Sequence, residues 1–192
     1  MAEGVVHKNV REQLLIAGIQ EISKYGIQGF SVRRIANECG VSCAAPYKHF
    51  EDRNSFVAAI IEYINSQWTD RQRRVLLDIP DNKRKQLVAI SLEYVRFLLE
   101  NPHFRSIIML KDEEFDNIYK NMRSQISGMS LKLINQYCDE ANIARDVAKR
   151  KIYIIRSLIY GAALMFDNGE LEYTEENMKF VEYSIDREFE LP

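Results

Sequence analysis

Apolar residues recur along most of this chain at the three- and four-residue spacing that places them on one face of an α-helix. No segment shows the strict alternation of apolar and polar residues that a half-buried strand requires. Glycine, proline and short polar capping residues separate the periodic segments and mark where helices begin and end. The pattern therefore predicts an all-α fold with about nine helices.

The nine predicted helices cover most of the chain. Gly26 is expected to end the first helix, and the fourth is expected to end before Pro80, in the polar break DIPDN. The second helix is expected between a Ser31 cap and the turn at Gly40, and the fourth begins after a cap at Asp52. The expected bounds of the others, each approximate, are 10–25, 43–50, 83–99, 101–110, 112–140, 145–166 and 174–189.

The most informative segment is residues 30–50, FSVRRIANECGVSCAAPYKHF. Ser31 is placed to cap a short helix, because its hydroxyl can accept a free backbone N–H of the first turn. Gly40 follows at a point where the chain must reverse, and glycine takes a positive φ without a Cβ clash. Ser42 is placed to cap a second helix over 43–50. Two short helices joined by a glycine turn predict a helix-turn-helix, whose second helix enters the major groove of DNA.

From residue 11 to about residue 56, the chain resembles the TetR family of transcriptional regulators. The matching positions are Arg11, Leu14, Leu15, Ala17, Gly18, Ile22, Gly26, Ser31, Val32, Ile35, Ala36, Gly40, Val41, Ser42, Tyr47, His49 and Phe50. The resemblance implies a DNA-binding domain over 1–54 and a helical ligand-binding and dimerisation domain over 55–192. Beyond this stretch the chain resembles the family only in length and helical character.

Pro46 departs from the family pattern, in which an aliphatic residue usually wedges between the two helices. Proline is apolar and can fill that space, but it removes one early helix hydrogen bond. We therefore expect the first turn of the second helix to be distorted.

The predicted DNA contacts come partly from side-chain chemistry and partly from the resemblance. Side chains at the start of the second helix would face base edges, where methyl contacts and a weak thiol donor are available: Cys43, Ala44 and Ala45. Lys48 is the long cation of this helix and would reach a guanine or a phosphate, and Arg33 is the second candidate base reader. The resemblance implies that phosphates are held by Ser31, Ser42, Tyr47 and His49, and that Arg53 replaces a family lysine.

Aromatic and methionine side chains are concentrated in the middle helices. The resemblance implies that a small-molecule effector binds there, and buried tyrosines suit a pocket with an apolar wall and a few polar points. The candidate ligand-binding residues are Tyr94, Phe97, Phe104, Phe115, Tyr119, Met122, Tyr153 and Tyr160. An ordinary hydrophobic core is the alternative interpretation for each of them.

The last two helices are candidates for a dimer interface. The segment RSLIYGAALMFDNG at 156–169 contains small residues that permit close helix approach. The final helix offers Met178, Phe180, Val181, Tyr183 and Ile185. The resemblance implies a two-fold four-helix interface, and packing within one chain is the alternative.

Composition changes this picture little. The chain of 192 residues has a net charge of −2, with seven Lys and Arg against six Asp and Glu in residues 1–54. A dimer that makes a few phosphate contacts per subunit does not need a strongly basic chain. No apolar run approaches a membrane span and no signal core is present, so the expected location is the cytoplasm.

No chemistry beyond binding is apparent. The three cysteines and three histidines lack the spacing of a disulfide framework or a metal site. No cofactor motif or catalytic constellation is found, so we expect no enzyme activity and no cofactor. Cys43 is expected at a helix N-terminus, a position that lowers a thiol pKa. It is therefore interpreted either as a redox switch or as a small residue that contacts DNA.

The sequence thus predicts a homodimeric regulator that binds an inverted-repeat operator in double-stranded DNA. A hydrophobic or aromatic small-molecule effector would release it, so that it would act as a repressor. The alternative is a helical metabolite-binding protein or enzyme in which the helix-turn-helix is only structural. Replacing Lys48 and Tyr47 would separate the two, because only the regulator would lose DNA binding. A member that activates transcription or binds a partner protein is a further alternative.

Overall fold

The computed structural model describes residues 9–109 and 116–190, without the side chains of 106, 109 and 116–127. The described residues form eight α-helices and one 3₁₀ helix and contain no strand. The α-helices are α1 Val10–Tyr25, α2 Val32–Glu38, α3 Arg53–Leu77, α4 Lys83–Glu100, α5 Pro102–Met109, α6 Asp116–Glu140, α7 Arg145–Asp167 and α8 Glu175–Glu190, and the 3₁₀ helix is Pro46–Lys48. The all-α prediction is confirmed.

Local capping explains most of the helix boundaries. The Ser31 hydroxyl accepts from the Arg34 N–H at 3.4 Å and caps α2, as predicted. Asp52 and Ser55 form a reciprocal capping box at α3, with the Ser55 N–H 2.7 Å from Oδ1 of Asp52 and the Asp52 N–H 2.9 Å from the Ser55 hydroxyl. Gly26 ends α1 with a φ of 68°, a conformation that favours glycine.

The predicted second helix of the helix-turn-helix, over 43–50, is wrong in type and length. Only Pro46–Lys48 is helical, and it is a 3₁₀ helix. Pro46 has no N–H to donate to the carbonyl of Ser42, and that carbonyl accepts instead from the Ala45 N–H, at 2.9 Å. Ser42 therefore caps no helix, and the N-cap position belongs to Ala45, which has no side-chain cap. The expected distortion at Pro46 extends over the whole element.

The chain divides into two compact units. The first consists of the described residues of Met1–Ser66 and His103–Met122. In its core, Phe56 stacks on Phe50 with ring centroids 4.0 Å apart and meets the edge of Phe30 at 5.3 Å. Gly18 brings α1 close to α3, since a Cβ at this position would lie 2.6 Å from Cδ1 of Ile60. The predicted domain boundary at residue 54 remains a prediction.

The second unit consists of the described residues of Gln67–Pro102 and Arg123–Pro192, in which α4, α7 and α8 pack against one another. The end of α8 is held by polar contacts from two other helices. The buried ammonium of Lys151 on α7 donates to the Glu188 carbonyl at 2.7 Å, and the Tyr137 hydroxyl on α6 donates to the Phe189 carbonyl at 2.7 Å. Both satisfy carbonyls that the helix itself leaves unpaired.

Arg84 on α4 holds the same end of α8 from a third direction. Its Nε and Nη2 lie 2.7 Å from the two carboxylate oxygens of Asp186, and Nη2 also lies 2.8 Å from Glu190. The hydrogen bonds from Arg84 lower the pKa of the Asp186 carboxyl. The charged pair raises the pKa of Arg84 correspondingly. Within the described residues, no helix is long and apolar enough to cross a membrane.

Candidate nucleic-acid interface and effector site

The turn after α2 has the geometry of a Schellman motif. The N–H of Val41 donates to the carbonyl of Ala36 at 3.0 Å, and the N–H of Gly40 donates to the carbonyl of Asn37 at 3.1 Å. Gly40 has a φ of 66°, as the sequence predicted. This turn fixes the direction in which the chain leaves α2 and enters the segment that contains Tyr47 and Lys48.

A buried carboxylate that the sequence analysis missed ties α2 to α1. Glu21 on α1 is 4% exposed, and its Oε1 accepts from Nε of Arg34 at 2.9 Å and from the backbone N–H of Ser31 at 3.1 Å. The hydrogen bond to Glu21 raises the pKa of Arg34. The Arg34 guanidinium also lies 4.5 Å from the ring centroid of Tyr25. Glu21 falls on the apolar face of α1. An acidic residue at an apolar position of the helical pattern is the sequence feature that could have indicated this buried contact.

The segment after the turn divides its side chains between the core and the surface. Pro46 and Phe50 are buried, and Phe50 packs under the guanidinium of Arg11 at 5.6 Å. Tyr47 is 56% exposed, and Lys48 and His49 beside it are also exposed. Phe50 is therefore a core residue, whereas Tyr47 is not. The segment presents an aromatic hydroxyl, an ammonium and an imidazole to solvent from a fixed backbone.

The remaining candidate DNA contacts have different surroundings. The structure places Ser42, Cys43, Ala44 and Arg33 on the surface and leaves Ser31 and Ala45 half-buried. Arg53 is also half-buried, and its guanidinium donates to the Ile27 carbonyl at 2.5 Å and lies 6.0 Å from the ring of Phe30. Arg53 thus joins α3 to the loop before α2, a structural contact that the sequence analysis did not foresee.

Cys43 does not stand at a helix N-terminus, because the 3₁₀ helix begins only at Pro46. The argument for an activated thiol required that position, so its physical basis is missing. Cys39, Cys43 and Cys138 are all free thiols, and Cys43 is the exposed one. Among the residues described, no group of three or more His, Cys, Asp or Glu side chains is arranged to hold a metal ion.

An aromatic cluster occupies the second unit where α3, α4 and α7 meet. The Trp68 ring lies 4.7 Å from Tyr94 and 5.3 Å from Phe97, measured between centroids. Tyr160 on α7 meets the edge of Tyr94 at 6.3 Å. The structure therefore brings together three of the eight candidate ligand-binding residues, Tyr94, Phe97 and Tyr160, around the single tryptophan.

The other candidate ligand-binding residues do not join this cluster in the described structure. Tyr153 is 74% exposed, so its placement in a pocket is wrong for the single chain. It lies two residues from the buried Ile155, about 200° around the helix, and therefore points away from the core. Phe104 is half-buried on α5, in the first unit. Phe115 and the side chains of Tyr119 and Met122 lie outside the described residues.

The last helix has apolar residues on two faces. Met178, Val181 and Ile185 are buried within the unit, so their assignment to a dimer interface is wrong and the alternative of packing within one chain is correct for them. Phe180 and Tyr183 are 65% and 63% exposed. On α7, the exposed apolar side chains are Tyr153, Leu164 and Met165.

Known proteins resemble this chain in two respects, in the sequence around the helix-turn-helix, which is called the head below, and in the fold. Residues 14–60 match the profile of the family described as bacterial regulatory proteins, tetR family. The HTH-type transcriptional regulator PksA of Bacillus subtilis is 26% identical over 176 residues, which cover 85% of this chain and 82% of PksA. The nucleoid occlusion factor SlmA of Photobacterium profundum is 32% identical over 101 residues, which span 52% of this chain and 51% of SlmA.

Two solved structures illustrate the similarity in fold. A putative tetR family transcription regulator from Shewanella sp. PV-4 superposes with a TM-score of 0.77 at 13% identity, over 93% of this chain and 96% of the other. The regulator FadR from Bacillus subtilis, in complex with stearoyl-CoA, gives a TM-score of 0.73 at 11% identity, over the same shares, 93% and 96%. With the helix-turn-helix described above, these matches identify residues 14–60 as a DNA-binding segment of the tetR family and show that the described chain has the fold of TetR-family transcriptional regulators.

Proposed function

We propose that the protein is a homodimeric repressor that binds an inverted-repeat operator and leaves it when a small hydrophobic or aromatic effector binds. Two helix-turn-helix heads would occupy adjacent major grooves, about 34–36 Å apart. We further propose that it acts in the cytoplasm and has no enzyme activity.

The exposed side chains of the helix-turn-helix are the observation that carries the DNA-binding part of the proposal. Tyr47, Lys48 and His49 face solvent, while Pro46 and Phe50 on either side of them are buried. The Tyr47 side chain is 56% exposed, so it is not part of the core and is available for contacts outside the chain. Its hydroxyl and the Lys48 ammonium suit phosphate oxygens, and Arg33 supplies a further exposed cation.

The exposed apolar residues of α7 and α8 support the dimer. Leu164, Phe180 and Tyr183 are each more than half exposed, and exposed apolar side chains on two adjoining helices are typical of an interaction surface. Two copies of an α7–α8 pair would bury it as a four-helix interface with two-fold symmetry. One head contacts too few bases for useful specificity, so dimerisation is also what operator recognition requires.

The aromatic cluster around Trp68 supports an effector in the second unit. FadR, which shares the fold, was solved with stearoyl-CoA, an acyl ligand. We propose that Tyr94, Phe97 and Tyr160 contact the effector, and that α3, which is continuous from Arg53 to Leu77, carries the response toward the head. An effector shifts the equilibrium only if it binds the operator-competent and released states with different affinities.

The test begins with sheared genomic DNA from the host, which is incubated with purified protein at moderate salt and sequenced after retention. We expect enrichment of a short inverted repeat. On that repeat, Tyr47→Ala and Lys48→Ala together should weaken binding by about 1000-fold, because in a dimer the two substitutions remove four contacts of about 1 kcal/mol each.

Lys132→Ala is the matched control, since it removes an exposed cation from α6, outside the head. It should leave operator affinity unchanged within about two-fold. Enrichment of no sequence, or equal operator affinity in the head variant and the control, would contradict the regulator and favour a structural helix-turn-helix.

A further inference from the structure

A chain of hydrogen-bond donors runs inward along α7 and α4 without an acceptor at its end. Arg156 is exposed, Tyr160 is half-buried, and the hydroxyl oxygen of Tyr94 is buried. Nη2 of Arg156 lies 3.5 Å from the Tyr160 hydroxyl, and its guanidinium carbon lies 5.9 Å from the centre of that ring. These three side chains are called the donor chain below.

The donor chain lacks a matching acceptor among the residues that the structure describes. The Tyr94 hydroxyl makes no hydrogen bond of good geometry there, although Tyr160 is close enough to add to the effect of burial and raise the pKa of Tyr94. No carboxylate of the described residues lies within ion-pair distance of Arg156. The residues three and four positions from Arg156 on α7 are Ile152, Tyr153, Ile159 and Tyr160, none of them acidic. A guanidinium has only donors to offer, and a buried hydroxyl without a partner is costly.

The protonation states of these side chains keep them as hydrogen-bond donors. Burial, followed by the neighbouring Tyr160, raises the pKa of Tyr94, so its hydroxyl keeps its proton at neutral pH. Because Arg156 donates to the Tyr160 oxygen, the Tyr160 proton remains available for another acceptor. One fixed positive charge and two hydroxyl donors therefore border an aromatic wall made by Trp68, Tyr94 and Phe97.

We propose that the effector is an apolar molecule that carries one carboxylate, and that this carboxylate binds the donor chain of Arg156, Tyr160 and Tyr94. The assignment rests on the effector-binding part of the proposed function. A carboxylate offers two oxygens to a planar guanidinium and accepts from hydroxyls as well, whereas a neutral alcohol uses only part of this set and an ammonium is repelled. The apolar part of the molecule would lie against the aromatic wall.

Three probes with one hydrocarbon chain and different head groups test the proposal: decanoate, decanol and decylamine, each below its micelle concentration. Trp68 is the one tryptophan of the chain and lies 4.7 Å from Tyr94, so its fluorescence reports binding at this site. We expect decanoate to bind at least about 10-fold more tightly than decanol, and decylamine to bind most weakly.

Variants assign that preference to the donor chain. Arg156→Gln should reduce the affinity for decanoate by about 10-fold or more and leave that for decanol nearly unchanged, and Tyr94→Phe should weaken decanoate about 3-fold or more. Lys149→Gln is the matched control, because it removes an exposed cation seven residues away on the same side of α7, about 10 Å along the axis. It should keep the full preference for decanoate.

The proposal is overturned if decanol or decylamine equals decanoate, if Arg156→Gln keeps the preference, or if no probe changes Trp68 fluorescence. Operator binding without ligand is measured separately and should be unchanged in Arg156→Gln, as should its sedimentation as a dimer. Selective decanoate binding by a protein that binds no operator would refute the proposed function and leave the carboxylate site standing. Operator binding by a protein that shows no preference among the three head groups would refute the carboxylate site and leave the proposed function standing.

Discussion

At the scale of single residues, buried charges decide how firmly the helices are held. Glu21 is almost completely buried and serves both the Arg34 side chain and the Ser31 backbone N–H. A buried carboxylate is tolerated only when its oxygens are satisfied in this way. Its contacts fix the start of α2, and α2 in turn directs the segment that contains Tyr47 and Lys48.

Glu21→Gln should lower the free energy of unfolding by about 1.5–3 kcal/mol, because it weakens charge-assisted hydrogen bonds to Arg34 and to the Ser31 N–H. Urea unfolding followed by circular dichroism measures the change, and hydrogen exchange at the Ser31 amide locates it. Glu38→Gln, on the exposed side of α2, should change stability by less than about 0.5 kcal/mol. An equal effect of the two substitutions would show that the Glu21 contacts contribute nothing.

The pair of Arg84 and Asp186 should make stability depend on pH. The pKa of the Asp186 carboxyl lies below its ordinary value of 3.8. The pair therefore contributes its full stabilisation above that value, and the contribution is lost as the pH falls through the folded-state pKa. Wild type should exceed Asp186→Asn in urea-unfolding midpoint near neutral pH, and the gap should narrow as the pH falls below 3.8. A gap that stays constant with pH would contradict the assignment.

At the scale of helices, small residues and prolines decide where elements approach and where they end. Gly18 permits α1 to lie against α3, and Pro46 limits the second helix of the head to one short 3₁₀ helix. Both effects come from a single missing group. Gly18 lacks the Cβ that would meet Ile60, and Pro46 lacks the N–H that would extend a helix.

Gly18→Ala should destabilise the protein, because the added Cβ would lie 2.6 Å from Cδ1 of Ile60, a side chain with no exposed surface. Overpacking costs about 1–3 kcal/mol, from which a gain of up to about 1 kcal/mol in helix propensity is subtracted. Gly128→Ala on α6 is the same substitution with no heavy atom within 4 Å of the new Cβ among the described residues. It should raise the thermal midpoint, and a rise in both variants would refute the close approach.

At the scale of the whole molecule, the main feature is the set of apolar side chains on α7 and α8 that a single chain leaves exposed. Phe180 and Tyr183 stand opposite the buried Met178, Val181 and Ile185 on the same helix. A helix that is apolar on two faces buries one of them inside its own unit and requires a partner for the other. The dimer proposed above supplies that partner.

Phe180→Glu should shift the protein from dimer to monomer and abolish operator binding, because it places a charge within the proposed interface. Sedimentation velocity measures the first effect and electrophoretic mobility shift the second. Leu77→Glu introduces the same charge at the end of α3, at a site that is 82% exposed. It should remain a dimer. A dimeric Phe180→Glu would show that another surface joins the subunits.

The sequence by itself determined what depends on neighbours along the chain. Helix caps at Ser31 and Asp52, the positive φ at Gly40, and the apolar stripe of α3 all follow from interactions within a few residues. The family followed from the same local pattern, since a helix-turn-helix is read from an ordered series of closely spaced positions.

Only the tertiary structure decided which side chains from distant segments meet. Periodicity places both Tyr153 and Tyr160 on a largely apolar helix. The packing of α4 against α7 partly buries Tyr160 and leaves Tyr153 exposed. The pairing of Glu21 with Arg34 and the donor chain beginning at Arg156 depend likewise on contacts across helices. A helical pattern specifies which residues share a face, whereas the neighbour that covers the face is set by the fold as a whole.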